Sequence, residues 1–335
     1  MDTTASTQKS TAKIFRPRRL GHANLWVKDL KKSEAFYNAT CGLAIEFWEP
    51  GLKATFLGTG NTPHDLGMIE VTGGKARYGR DGILMIPEGI GLEPGLNHLA
   101  WELENEAELV DAYKRAKGAG VEMAMTVDHQ VAHSIYMFDP DGNQIEFYCD
   151  TVKDWRKVLH GEMDLITGNW TPGETEPFTD SRYELNPAIR EVAKAPVHPR
   201  RVTHAVLLTD DLKGLIDFYT SVGGLDVSHR SKGAVWLRGS QSQYRCNLAL
   251  LKRERGQDKG YHHVSFDLAD AAAVDTAEAA LKGRGIKPEK SVENAWKRSI
   301  FVLDPDGLRS EYVAYKRLGC GDIDAAPAAE QPYLM

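Results

Sequence analysis

The chain repeats itself, and this internal duplication restricts its possible folds more than any other feature of the sequence. The segment GHANLWVKDLKKSEAFYNATCGL, from Gly21, aligns without a gap with THAVLLTDDLKGLIDFYTSVGGL, from Thr203. A second pair, NHLAWEL from Asn97 and HHVSFDL from His262, aligns at a smaller offset, so the first half carries an insertion near residues 71–91. The insertion is Gly-rich, which predicts a loop. Two similar halves predict two similar domains.

Each half gives the same order of secondary-structure signals twice. HANLWV is apolar over the length of a strand, and LKKSEAFYNATCG has apolar residues at helical spacing. YMFDPDGNQIEFY predicts two strands joined by a tight Asp-Pro-Asp-Gly turn. We therefore predict an α+β fold in which each domain consists of two βαβββ modules. The predicted organisation is a flexible lead-in over residues 1–14, a first domain over 15–150, a connector over 151–198, a second domain over 199–318 and a C-terminal arm over 319–335.

The composition is that of a globular protein, with 42% hydrophobic and 26% charged residues among 335. The net charge of −6 gives no electrostatic attraction to nucleic acid or anionic membranes. No apolar run approaches the roughly 20 residues of a membrane span, and the N-terminal sequence lacks the apolar core of a secretory signal. The cysteines are too few and too scattered for a disulfide framework: Cys41, Cys149, Cys246 and Cys320. We expect a cytoplasmic protein that binds neither nucleic acid nor membrane.

Two histidines and one glutamate occur at matching strand positions in both halves. Two imidazoles and a carboxylate on one face of a metal ion leave adjacent positions open for O2 and a chelating substrate, which suits non-heme Fe(II). A single histidine in a strand is usually structural, but a matched and repeated set of three is harder to explain in that way. Duplication alone could still have kept the second set as core residues. The sets are His22, His98 and Glu146 in the first half and His204, His263 and Glu311 in the second.

The stretch VDHQVAHSIYMFDPDGNQIE, residues 127–146, resembles the signature of type I extradiol dioxygenases such as the catechol 2,3-dioxygenases. PHDLGMIE, from Pro63, resembles the strand that carries the second active-site histidine of that family. Both halves resemble the vicinal oxygen chelate superfamily, which includes glyoxalases, bleomycin resistance proteins and dihydroxybiphenyl dioxygenases. The resemblance implies two domains of that fold and a metal site that holds Fe(II), although the same donors accept Mn(II).

The resemblance also implies roles for the candidate site residues of the first half. His22, His98 and Glu146 would bind the metal, and His64 would be the acid–base group beside the O2 position. His129 and Tyr136 would form hydrogen bonds to substrate oxygens. His133 is either a pocket residue or a residue at the beginning of a strand.

The second half lacks these proton-handling groups, although it keeps its own triad. The positions of His64, His129, His133 and Tyr136 are taken there by Cys246, Asn294, Arg298 and Phe301. We therefore expect the first domain to be catalytic and the second to be a non-catalytic partner. This arrangement departs from the family, in which the C-terminal domain is the active one.

The expected function is extradiol cleavage of a catecholic or hydroquinone-type small molecule by O2, giving a muconic semialdehyde-type product in aromatic degradation. A glyoxalase-type isomerase or lyase, and a small-molecule-binding protein without turnover, remain alternatives on the same fold. The resemblance further implies a homo-oligomer. We expect the substrate pocket to be shaped by the insertion, the connector and the C-terminal arm.

Overall fold

The computed structural model describes residues 13–80, 82–166, 168–317 and 323–335. Most of the predicted flexible lead-in, the end of the second domain, the beginning of the C-terminal arm and Cys320 lie outside these residues. The strands of the first half and the connector are β1 (Arg19–Val27), β2 (Ala44–Glu49), β3 (Ala54–Gly58), β4 (Leu66–Glu70), β5 (Arg77–Tyr78), β6 (Leu84–Ile86), β7 (Gly95–Glu102), β8 (Met125–Asp128), β9 (Ala132–Phe138), β10 (Gln144–Asp150), β11 (Gly161–Glu162) and β12 (Gly168–Asn169).

The second half repeats this pattern without the short strands. Its strands are β13 (Arg201–Thr209), β14 (Asp226–Arg230), β15 (Ala234–Arg238), β16 (Leu248–Lys252), β17 (Gly260–Asp267), β18 (Lys290–Glu293), β19 (Lys297–Leu303) and β20 (Arg309–Tyr315). The α-helices are α1 (Leu30–Ala35), which continues as a π-helical turn over Phe36–Thr40, α2 (Glu106–Gly118), α3 (Leu212–Ser221) and α4 (Ala271–Gly283). Short 3₁₀ turns follow at Trp155–Lys157 and Gln331–Leu334. Within the described residues, no helix is long and apolar enough to cross a bilayer.

Two open mixed sheets form the two domains, as the α+β prediction requires. The first has the strand order β11-β2-β3-β4-β1-β7-β10-β9-β8-β12, and the second has β14-β15-β16-β13-β17-β20-β19-β18. In each sheet two βαβββ modules meet at their first strands, which pair antiparallel as β1 with β7 and β13 with β17. The prediction of two βαβββ modules in each domain is confirmed.

Each helix begins at a side chain that satisfies one of its free backbone amides. An aspartate or asparagine precedes the helix and accepts a hydrogen bond from the amide three residues later. These residues are Asp29, Asn105, Asp211 and Asp270. Each residue of this kind follows the first strand of its module. The helix of every module therefore begins with the same kind of cap.

Three segments differ from the sequence predictions in ways that affect the first domain. The insertion is not a plain loop, because β5 and β6 form a small hairpin within it. The connector adds β11 and β12 to the two ends of the first sheet, so it packs on that domain. The C-terminal arm contacts the second domain instead of the first-domain pocket: Ile323 and Met335 are buried in a cluster with Val206 and Leu208.

A pair of equivalent hydrogen bonds joins the two domains. Tyr219 of α3 donates its hydroxyl to Asp139 Oδ2 at 2.9 Å, and Tyr37 donates to Asp304 Oδ2 at 3.3 Å. Both aspartates begin the Asp-Pro-Asp-Gly turns, and Asp139 also accepts from the backbone amides of Asp141 and Asn143. One carboxylate therefore shapes its own turn and holds the helix of the other domain.

We expect Tyr219→Phe to lower the free energy of unfolding by about 1 kcal/mol, since a buried hydrogen bond to a carboxylate is lost. Tyr37→Phe should cost less, because its bond to Asp304 is longer. Chemical denaturation would measure both, with Tyr78→Phe as the control because Tyr78 is 58% exposed. Equal stability of all three variants would contradict a role for the tyrosine–aspartate pairs.

Candidate metal centre

The first triad lies on three neighbouring strands and on one face of the sheet. His22 of β1 and Glu146 of β10 both pair with Ala100 of β7, so His22, Ala100 and Glu146 form one row across the sheet. His98 stands two residues before Ala100 and therefore points to the same face. Strand pairing thus brings together two imidazoles and a carboxylate that are far apart in the sequence.

The polar atoms of the triad converge on one point. Glu146 Oε2 lies 3.1 Å from His22 Nε2 and 3.1 Å from His98 Nε2. The other carboxylate oxygen, Oε1, accepts a hydrogen bond from Ser134 Oγ at 2.5 Å. The three triad residues are only 3–6% exposed. Ser134 therefore orients the carboxylate so that one oxygen faces both histidines.

The donor set fits a divalent metal ion. His98 Nδ1 faces Asn97 Oδ1 and donates to it, which leaves the lone pair on Nε2. His98 Nε2 is buried and, within the described residues, has no hydrogen-bond partner, although it lies near Glu146. A buried ring nitrogen of this kind is costly unless something binds it. A metal ion at the point of convergence would bind Nε2 of both histidines and Glu146.

The electrostatics agree with this assignment. Burial lowers the pKa of the His22 imidazole below its usual value, in spite of the nearby Glu146 carboxylate. Burial alone would raise the pKa of Glu146, but hydrogen bonding to His22 and the closeness of His98 keep it well below the usual value. Neutral imidazole and ionised carboxylate are the protonation states in which these side chains bind metals.

His64 lies beside the triad, in the segment just before β4. Its ring centroid is 3.9 Å from that of His22 and 4.7 Å from that of Phe56. Asp65 holds the segment by accepting from the backbone amide and the hydroxyl of Thr59, both at 2.8 Å. Both ring nitrogens of His64 are buried without a hydrogen-bond partner among the described residues. Burial lowers the pKa of His64 well below its usual value, and His22 lowers it further.

His129 and Tyr136 form a hydrogen-bonded pair on the other side of the triad. His129, in the turn between β8 and β9, has Nε2 2.9 Å from Tyr136 Oη and 3.9 Å from Glu146 Oε1. Burial and the negative charge of Glu146 raise the pKa of Tyr136 well above its usual value. The phenol therefore keeps its proton and can donate it in a hydrogen bond.

His133 is not brought to the site. It alternates with Ser134 along β9, so its ring lies on the opposite face of the sheet. There its Nδ1 is 2.7 Å from Glu106 Oε1, and its ring stacks on Trp170 at 4.6 Å. The structure thus places it against helix α2 and not in the pocket.

An apolar cavity of about 1000 Å³, part of it open to solvent, surrounds the triad. The insertion contributes Met85 and Ile86, and the connector contributes Leu159 and Leu165. The sequence predictions missed several polar residues of the lining, and Ser134 behind Glu146. The lining residues are Asn24, Thr62, Asn97, Gln144, Tyr148 and Asp150. Strand alternation with Glu146 would have indicated Tyr148 and Asp150, and adjacency to His98 would have indicated Asn97.

Gly21 lies where any side chain would clash with Tyr148. A Cβ atom there would lie 2.1 Å from Tyr148 Oη, so only glycine leaves room for the phenol beside His22. In the second sheet this position is taken by Thr203.

The residues of the second triad also come together, but they are more deeply buried than those of the first. Glu311 Oε2 lies 3.7 Å from His204 Nε2 and 3.6 Å from His263 Nε2, and the three residues are 0–1% exposed. The structure therefore brings both predicted sets of residues together, and only the first faces the large apolar cavity.

Comparison with known proteins connects the chain to one superfamily. The profile of the glyoxalase/bleomycin resistance protein/dioxygenase superfamily matches residues 19–147 and 201–312. Metapyrocatechase 2 of Cupriavidus necator is 26% identical over 202 residues, 58% of this chain and only 55% of the relative. Biphenyl-2,3-diol 1,2-dioxygenase 3 of Rhodococcus globerulus is 28% identical over 46% of this chain and 78% of its own. Lactoylglutathione lyase of Schizosaccharomyces pombe is 23% identical over 89% of this chain and 97% of its own.

Solved structures with different activities share the fold. A Mn(II)-bound glyoxalase from Novosphingobium aromaticivorans has a TM-score of 0.62 at 17% identity, covering 93% of this chain and 86% of its own. The 2,3-dioxygenase LapB from Pseudomonas sp. KL28 has the same TM-score at 16% identity, covering 91% and 95%. The overall fold therefore does not separate a dioxygenase from a glyoxalase.

We expect His98→Ala to abolish metal binding in the first domain, because it removes one of three donors. His133→Ala is the matched control, since this histidine lies on the other face of the same sheet and should leave the metal content unchanged. Elemental analysis of the purified variants would measure both. Metal retained in full by the His98 variant would refute the assignment, whatever the content of the His133 variant.

Proposed function

The chain belongs to the glyoxalase/bleomycin resistance protein/dioxygenase superfamily, and we propose that it is an extradiol dioxygenase that opens a catecholic ring with O2. The proposed centre is a mononuclear Fe(II) held by His22, His98 and Glu146 in the first domain. The observation that carries the proposal is the set of buried proton-handling groups beside this triad, on the wall of the cavity. These groups are His64, His129 and Tyr136.

When bound, the metal would supply Lewis acidity and open coordination positions, two for the oxygens of a chelating diol and one for O2. The same donors accept Mn(II), so the ligand set alone does not favour one ion over the other. The chain contributes the geometry, because β1, β7 and β10 hold the three ligands on one face. Ser134 and Asn97 fix the orientation of Glu146 and His98 through hydrogen bonds.

His64 is proposed as the residue that moves protons. A catechol must lose protons to chelate the metal, and a neutral imidazole with two unpartnered nitrogens can accept one. Because its ring lies against that of His22, it stands at the edge of the metal position. The same imidazole, once protonated, can return the proton to an oxygen of the substrate as the ring opens.

His129 and Tyr136 are proposed to orient the substrate. The Tyr136 phenol stays protonated, so it can donate a hydrogen bond to a substrate oxygen that becomes negatively charged. His129 lies at hydrogen-bonding distance from that phenol and holds it in place. The pair and His64 lie on opposite sides of the triad, which would position a diol between them.

The cavity favours a catechol with an apolar, uncharged substituent. Its described lining includes Trp26, Phe47 and Leu165 but no lysine or arginine. Asp150, a further carboxyl group in the lining, has its pKa raised by burial and by the nearby Glu102 carboxylate, which favours its uncharged form. A substrate carboxylate would therefore lose its hydration without gaining a cationic partner. The product would be a muconic semialdehyde-type acid, and a hydroquinone-type substrate remains compatible with the site.

A glyoxalase-type lyase is the second candidate, because the Schizosaccharomyces pombe relative matches most of the chain. The thioester or hemithioacetal of glutathione carries two carboxylates. The described lining offers them no lysine or arginine, which argues against this substrate.

We expect purified protein to contain Fe(II), to consume O2 with catechols and to give a yellow ring-opened product. His64→Phe should retain the metal but lower kcat by about 10²-fold or more, since a general acid–base group typically contributes that much. An oxygen electrode with a panel of catechols, hydroquinones and a glutathione hemithioacetal would test this. Turnover of the hemithioacetal without O2 uptake would reject the dioxygenase, and unchanged kcat in the variant would reject the role of His64.

We further expect kcat/KM to be higher for catechols with aryl or alkyl substituents than for catechols with a carboxylate, because the lining is apolar and has no cation. The difference should narrow when Leu165→Arg places a cation in the cavity. A preference of the unmodified protein for carboxylated catechols would contradict this account of the cavity.

A further inference from the structure

The second triad occupies the same strand positions as the first, but a serine replaces the alanine that lies between two of its residues. His204 and Glu311 both pair with Ser265, as His22 and Glu146 pair with Ala100. The Ser265 hydroxyl donates to Glu311 Oε2 at 2.6 Å and lies 3.2 Å from His204 Nε2. A hydroxyl therefore bridges the imidazole and the carboxylate where the first domain has only a methyl group.

A lysine is the second change. Lys297 occupies the position of Ala132, as its pairing with Tyr315 corresponds to that of Ala132 with Asp150. Its ammonium donates to Glu311 Oε1 at 2.6 Å and to the main-chain oxygen of Met335 at 2.5 Å. Lys297 is only 2% exposed. A lysine is almost never buried to this degree without partners of this kind.

The lysine has displaced a serine from the carboxylate. In the first domain Ser134 donates to Glu146 Oε1, and its equivalent in the second domain is Ser299. The Ser299 hydroxyl is buried without a hydrogen-bond partner in the described part of the chain. Lys297 instead donates to Glu311 Oε1, the equivalent of the oxygen that Ser134 binds in the first domain.

We propose that Lys297 is the resident cation of the second triad and that, together with Ser265, it excludes a metal ion from it. A buried carboxylate requires a positive partner, and the ammonium supplies one. A divalent ion at the same place would be repelled by that ammonium and would find Glu311 Oε2 already bound by Ser265. The remaining space is filled by the chain itself, since Met335 is buried in one hydrophobic cluster with Leu208, the equivalent of the cavity residue Trp26.

Two substitutions would then reproduce the surroundings of the first triad in the second. Ser265→Ala and Lys297→Ala introduce the alanines that the first domain has at these positions. The test uses full-length protein in the His98→Ala background, so that the first site does not contribute. The probe is Mn(II), measured by equilibrium dialysis and elemental analysis.

The parent His98→Ala protein is expected to bind no Mn(II), and the His98→Ala/Ser265→Ala/Lys297→Ala protein one ion per chain. Adding His263→Ala should abolish that binding again. Mn(II) bound stoichiometrically by the parent, and lost on His263→Ala, would overturn the proposal, as would a folded triple variant that binds none. Circular dichroism would establish folding.

Should the double alanine change prevent folding, Lys297→Met with Ser265→Ala keeps most of the side-chain volume. In this variant Mn(II) should raise the melting temperature, and only when His263 is present. No shift with the metal would overturn the proposal. The outcome is independent of the dioxygenase assignment, because no turnover is measured and the first site has been removed.

Discussion

A carboxylate buried between two imidazoles is the constraint on which both domains depend. Glu146 and Glu311 lie on interior strands of their sheets, almost without exposure, so each needs hydrogen bonds or a positive partner to remain ionised. The donor set of the first domain fits a metal ion and opens onto a cavity, whereas the second domain supplies an ammonium from its own chain. The same framework thus provides a candidate metal site in one half and a closed polar core in the other.

The duplication also explains how the two halves are held together. Each Asp-Pro-Asp-Gly turn precedes the strand that carries a triad glutamate, and its first aspartate accepts a hydrogen bond from a tyrosine hydroxyl of the other domain. The turn before β10 is therefore fixed from the second domain, and Glu146 lies only a few residues beyond it. The second domain in this way supports the strand that carries Glu146.

The difference between the two triads follows from a few positions. Ala132 and Ala100 leave space in the first domain, and Gly21 admits Tyr148 beside His22. The insertion and the connector then line that space with apolar side chains. In the second domain Lys297 and Ser265 use the same space for hydrogen bonds, and the C-terminal arm covers it.

The sequence by itself determined the modules, their duplication and the two triads, because strand alternation, helix caps and turn signals are local and are repeated in both halves. It also indicated the groups His64, His129 and Tyr136, which differ between the halves. Only the tertiary structure decided four other features. These are the face of the sheet on which His133 lies, the hairpin of the insertion, the placement of the C-terminal arm and the hydrogen bond of Lys297 to Glu311. Each of these depends on the side chain that a neighbouring strand presents, and that neighbour is set by pairing between residues far apart in the chain.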